Sequence, residues 1–81
     1  MMTREEVAEI NSEAVMYDYD EAIIGMAERI NLGPVVAYDV KKIISILMKR
    51  DGMTDEEAME FFEYNIMGSW VGEFTPVFIT T

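Results

Sequence analysis

Residues 53–65, MTDEEAMEFFEYN, place five carboxylates and three aromatic rings within thirteen positions. Paired carboxylates can hydrolyse glycosides when a cleft sets their separation, and clustered carboxylate oxygens can hold magnesium or calcium. On a helix, however, Ala58, Phe61, Phe62, Asn65 and Ile66 follow the spacing of one buried face, which leaves Glu56, Glu57, Glu60 and Glu63 on the other side. Like charges three or four residues apart cost only about 0.2–0.5 kcal/mol per pair, so such a ridge survives without any function. The plain reading of Glu56, Glu60 and Glu63 is therefore a solvated helix face. A metal site would need further oxygen ligands, and the chain has no Asp-rich, glycine-centred calcium loop. An anionic docking surface needs only exposure.

A second cluster, Tyr17-Asp18-Tyr19-Asp20, interleaves rings with carboxylates. Tyrosine brings large contact area at low entropic cost, which suits protein recognition. The plainer and preferred reading is a connection whose rings cover the core edge while Asp turns the chain. The third cluster is Gly68-Ser69-Trp70-Val71-Gly72-Glu73-Phe74. There Trp70 and Phe74 are expected to anchor a loop over the core, and an exposed Trp70 would instead be an effective contact for a partner. Ser12, Ser45 and Ser69 have no histidine to activate them, because the chain contains none. Asn31-Leu32-Gly33-Pro34 has one glycine and no following Lys-Ser/Thr, so it is not a phosphate loop. Eight methionines could form an adaptable surface, but most occupy positions expected to face the core. Neither catalysis nor a cofactor is expected.

Composition sets the frame for these clusters. Eighty-one residues make one domain, residues 1–81, with the N-terminal helix within 1–16 as its most loosely attached part. A hydrophobic content of 51% is too high for a disordered acidic tail. The absence of cysteine excludes disulfides and thiolate sites. No apolar run is long enough to span a membrane, and MMTREEVAEI has acids where a signal peptide needs a basic region, so a soluble intracellular protein is expected. The formal charge is −10, unevenly spread. Residues 1–21 set seven acids against Arg4, residues 22–50 carry five bases against two acids, and residues 51–81 carry seven acids and no base. Such a field repels nucleic acid and anionic membranes and attracts basic partners.

The elements that must position these groups follow from local signals. Thr3 with Glu6, and Thr54 with Glu57, have the spacing of a capping box, which predicts helices over residues 3–14 and 54–67. Val7, Ile10 and Ala14 should face inward on the first. Residues 21–30 and 35–38 read as strands around a turn at 31–34, although EAIIGMAERI could be helical on composition. Asp39 should cap a helix running to Arg50 that buries Val40, Ile43, Ile44 and Leu47, with Gly52 in the left-handed position after it. Residues 75–80 read as a final strand. The order α-β-β-α-α-β gives an α+β fold: a three-stranded, mainly antiparallel sheet with helices on one face.

The segments YDYDEAIIGMAERI, VVAYDVKKIISILMKRDGM, EEAMEFFEYN and GSWVGEFTPVFI resemble small proteins encoded by tailed bacteriophages and prophages, over some four-fifths of the chain. The string RDGMTDEEAMEFFEYN is the most specific part. This resemblance implies action in bacterial cytoplasm, and it brings no activity, so no site residues transfer. It draws attention to a role that small acidic phage proteins often have, blocking host nucleic-acid-binding machinery with carboxylates placed where phosphates would lie. The expectation is a non-catalytic protein that presents Glu56, Glu60 and Glu63, with Tyr17, Asp18, Tyr19, Asp20 and Trp70, to a basic host or phage protein. An anti-defence inhibitor such as an anti-CRISPR protein is one form of it. The alternative is a self-associating accessory protein of the phage, a homodimer burying Trp70, Phe74, Tyr17 and Tyr19.

Overall fold

The computed structural model describes residues 2–81. Its elements are α1 (Arg4–Ile10), β1 (Ile23–Arg29), β2 (Leu32–Asp39), α2 (Val40–Arg50), α3 (Asp55–Phe61) and β3 (Val77–Ile79). A 3-10 turn, Asp20–Ala22, leads into β1, and α3 continues as a π-helix over Phe62–Met67. The fold is α+β. β2 is central, antiparallel to β1 and parallel to β3, so the three-stranded sheet is mixed.

Both capping boxes form: the Thr3 and Thr54 hydroxyls each accept from the N–H three residues on, and Glu6 and Glu57 each accept from the cap's own N–H. These bonds favour the charged carboxylates and hold the Glu6 and Glu57 carboxyls below the usual carboxylate range, the backbone N–H being the larger cause. A lowered folded-state pKa adds stability that is complete above about pH 4.5 and lost as pH falls through the folded value. Glu57→Gln should therefore be less stable than the parent at neutral pH, and the gap should narrow as pH falls below about 4.5 through the lowered folded-state value. Urea titrations of the two proteins across that range check it. A gap independent of pH would remove ionisation from the account.

The first helix ends four residues sooner than its periodicity predicts. Asn11 terminates it with extended backbone, its side-chain oxygen accepting from Glu13 N–H at 3.1 Å and its amide donating to the Pro34 carbonyl at 2.8 Å. Val7 and Ala14 are buried as expected, but Ile10 is half exposed. The first sixteen residues meet the body through Val7 and Ala14 in the core, the Arg4 bonds to Asp20 and the Tyr17 carbonyl, the Asn11–Pro34 bond and a backbone bond from Val15 N–H to the Phe74 carbonyl.

The hairpin also turns earlier than expected. Arg29 pairs with Leu32, so Ile30 and Asn31 form the tip, and Asn31 takes the left-handed φ of 60° that its short polar side chain tolerates. Gly33 and Pro34 join β2 instead of making the turn. They stand together opposite Glu28, in an irregularity between the Ala27–Val35 and Arg29–Leu32 pairs, where proline's missing N–H does least harm. Gly33 has a steric reason: a Cβ there would lie 2.9 Å from the Phe74 ring and 3.1 Å from the Asn11 amide. A second irregularity between Ile23 and Gly25 turns Ile24 outward while Ile23 stays in the core.

One core cluster joins Val7 of α1, Val36 and Tyr38 of β2, Ile43 and Leu47 of α2, and Ala58, Phe62 and Ile66 of α3 and its extension. The last three are four residues apart. In an α-helix that spacing overshoots a turn by about 40°, whereas the wider π turn undershoots it, and the combination keeps the three side chains on one line. Phe78 of β3 completes the core: its ring lies 5.2 Å from Phe62, edge-on, and about 6 Å from Tyr38 and Tyr17. Val35 and Ala37, which alternate with Val36 and Tyr38 along β2, are buried but lie outside this cluster.

Candidate functional site

The Tyr17–Asp20 segment is tied down at every residue. Tyr17 is half-buried; its N–H donates to the Tyr38 hydroxyl at 2.7 Å, and that hydroxyl donates back to the Tyr17 carbonyl at 3.2 Å. Burial pushes the Tyr38 phenol up, against the opposing effect of its bond to the Tyr17 backbone. Tyr19 is buried beneath Arg50, whose guanidinium carbon lies 5.0 Å from the ring centre. Burial likewise raises the Tyr19 phenol, with Arg50 opposing. Asp18 and Asp20 are exposed and each faces an arginine. Arg4 Nε lies 2.7 and 2.8 Å from the two Asp20 oxygens, and Arg4 also donates to the Tyr17 carbonyl at 2.8 Å. Arg50 Nη1 donates to the Asp18 carbonyl at 2.9 Å and approaches its carboxylate at 3.5 Å. The segment thus links α1, α2 and β2, and its rings cover the core edge, Tyr19 buried and Tyr17 half-buried, so they are not free for a partner as the candidate contact surface required.

The acids of α3 are differently placed. Glu56, Glu60 and Glu63 are all exposed. The ion pairs among the described residues involve Arg4 and Arg50 alone, with Asp20, Asp18 and Asp51 as their acids, so the α3 carboxylates face water without a cation of their own chain. Residues 51–81 themselves contain no base. Among the described residues no group of three potential ligands is close enough to hold a metal ion.

Trp70 is 78% exposed and does not cover the core as expected. The loop before β3 is closed by other bonds: the Thr75 hydroxyl donates to the Gly72 carbonyl at 2.6 Å and accepts from Val71 N–H at 3.0 Å. Gly72 takes a φ of 104° to allow this. With the loop held this way, Phe74 is what turns inward, under the Arg29 guanidinium and against Gly33.

Three methionines also depart from expectation. Met2, Met16, Met26 and Met53 pack against the core, but Met48, Met59 and Met67 are exposed. They border an open groove of about 770 Å³ between α2 and the α3 helix, floored by Val40, Ile44 and Phe62. A signal for this existed at Met59, which lies four residues from both Asp55 and Glu63 and so falls on the acidic side of its helix. Met67 continues into a shallower depression with Trp70, Pro76 and Phe78. Tyr64, 78% exposed, stands on the same helix. The helix thus presents unpaired carboxylates interleaved with exposed apolar side chains, an arrangement suited to binding a surface. No helix among the described residues is long and apolar enough to cross a membrane. Comparison with protein-family models, curated proteins and solved structures finds no significant match.

Proposed function

We propose that this chain is a non-catalytic interaction protein of phage or prophage origin, and that it occupies a basic, nucleic-acid-binding surface of a host protein. An anti-defence inhibitor of the anti-CRISPR type is the form that best suits its size and charge. The observation that carries the reading is the row Glu56, Glu60 and Glu63, exposed and without an ion-pair partner among the described residues, on a chain of sixteen acids and six bases. At about 1.5 Å per residue the row covers roughly 10 Å of helix axis. One DNA strand carries a charge every 3.4 Å or so, about three in that length. The match in linear charge density is what a phosphate-binding surface would sense.

Pull-down from host lysate at low and high salt tests the reading. A basic partner should be retained at low salt, released at high salt and displaced by duplex DNA, because ionic contacts are screened within about 10 Å at 0.1 M. Equal retention at both salt concentrations would count against it. The exposure of Trp70 and Tyr64 favours a second reading, a self-associating phage accessory protein. A strict monomer in sedimentation at tens of micromolar sinks that version.

A further inference from the structure

The groove between α2 and α3 has a floor and a rim of different chemistry. Val40, Ile44 and Phe62 line it from below, and Met48, Met59 and Met67 border it with half-exposed thioethers. Along α3 and its extension, Asp55, Met59, Glu63 and Met67 follow one another at intervals of four, so acid and thioether alternate along the same edge. The opposite edge carries a single charge, Lys41. From Asp55 to Met67 the edge runs roughly 18 Å, about three turns of an incoming helix.

We propose that this groove receives an amphipathic helix with an apolar stripe and lysines or arginines beside it, supplied by the basic partner. The inference rests on the functional reading above and names the form in which that partner presents itself. Flexible methionines adapt to apolar side chains of different shape, which suits a groove open to water. Asp55 and Glu63 flank Met59, so cations beside the incoming stripe meet carboxylates whatever apolar residue fills the centre. The same charges exclude an acidic helix, and a second copy would bring a chain of −10 against another of −10.

The test uses fluorescence anisotropy with the full chain and a labelled peptide of about 18 residues, Leu and Lys in helical repeat. Controls are a scrambled peptide of the same composition and a version with Glu replacing Lys. The patterned Leu/Lys peptide should bind at least about tenfold tighter than the scrambled one, and Met59→Gln with Met67→Gln should remove most of that difference. Both side chains are about half exposed, so the variant should retain the parent's circular dichroism and melting temperature. Equal, salt-sensitive binding of patterned and scrambled peptides would overturn the groove and leave the acidic reading standing. Binding of neither would overturn both. Equal affinity for the Leu/Glu peptide would overturn the assignment of charge. A dimer abolished by Met59→Gln would place a second copy in the groove and overturn the proposal.

Discussion

Tyr38→Ala should lower the stability of this chain by about 3–5 kcal/mol, the range for removing a large buried ring. A domain of 81 residues is expected near the lower end of the usual 5–15 kcal/mol, so the variant should keep only about 0–2 kcal/mol and be measurably, up to about half, unfolded at ambient temperature. Tyr38 is fully buried, lies on the central strand, and its ring meets Tyr17 and Phe78 at about 6 Å. Tyr38→Phe separates packing from hydrogen bonding. It keeps the ring but leaves the Tyr17 N–H and carbonyl without the hydroxyl that serves both, at a cost of about 1–3 kcal/mol. Urea denaturation followed by circular dichroism measures both variants. A Tyr38→Phe protein as stable as the parent would show that water replaces the hydroxyl at no cost.

The second large effect is on association and runs opposite to stability. Glu56→Gln/Glu60→Gln/Glu63→Gln removes three exposed charges from one helix. The like-charge pairs cost about 0.2–0.5 kcal/mol each, so the triple variant should melt at or slightly above the parent temperature. Its association with a basic surface should nevertheless slow by tenfold or more at low salt, since focused fields change on-rates by about 10–10³. Stopped-flow binding to the partner recovered at low salt reads the rate, and a salt series reads the slope. If rate and salt slope both stay at parental values, the row is only a solvated helix face. A loss of binding accompanied by a loss of stability would instead indicate damage to the helix. These two results separate recognition from folding, which the same helix serves through Ala58, Phe62 and Ile66 on its other side.

Features closed by neighbouring residues were legible from the chain. Thr3, Asp39 and Thr54 each cap a helix through a bond to the N–H three positions on, and Gly52 takes a φ of 67° after α2, as its place behind Lys49 and Arg50 suggested. Burial of Ile43, Leu47, Ala58, Phe62 and Ile66 followed from spacing, because a helix has only one side to turn inward, while Val40, Ile44 and Phe61 on the same expected faces are only partly covered and Asn65 is exposed. What spacing could not convey was how far a neighbour covers the flanks of that side. Met48 and Met59 sit at such flanks, where the distance between α2 and α3 decides between core and groove.

Three other features also depended on partners distant in sequence. The turn at Ile30–Asn31, instead of over residues 31–34, accompanies the close approach of Phe74 and Asn11 to Gly33, some forty and twenty residues away. Tyr17 and Tyr19 could be read either as rings over the core edge or as partner contacts, because nothing local indicates that Tyr38 and Arg50 close over them. Trp70 and Phe74 read alike as anchors of a loop over the core, yet the Thr75–Gly72 bond closes the loop with Trp70 outside and Phe74 half-buried against Gly33 and Arg29 of the hairpin.

By itself, then, the sequence determined the helix starts, the buried stripes, the α+β class and the excess of carboxylate, all consequences of composition or of bonds spanning three or four residues. Only the tertiary structure decided the parallel pairing of β3 with β2, the interior placement of Tyr19 and Tyr38, and the opening of a methionine-edged groove beside unpaired acids. Each of these depends on where segments far apart in the chain come to rest against one another, and no local spacing encodes that distance.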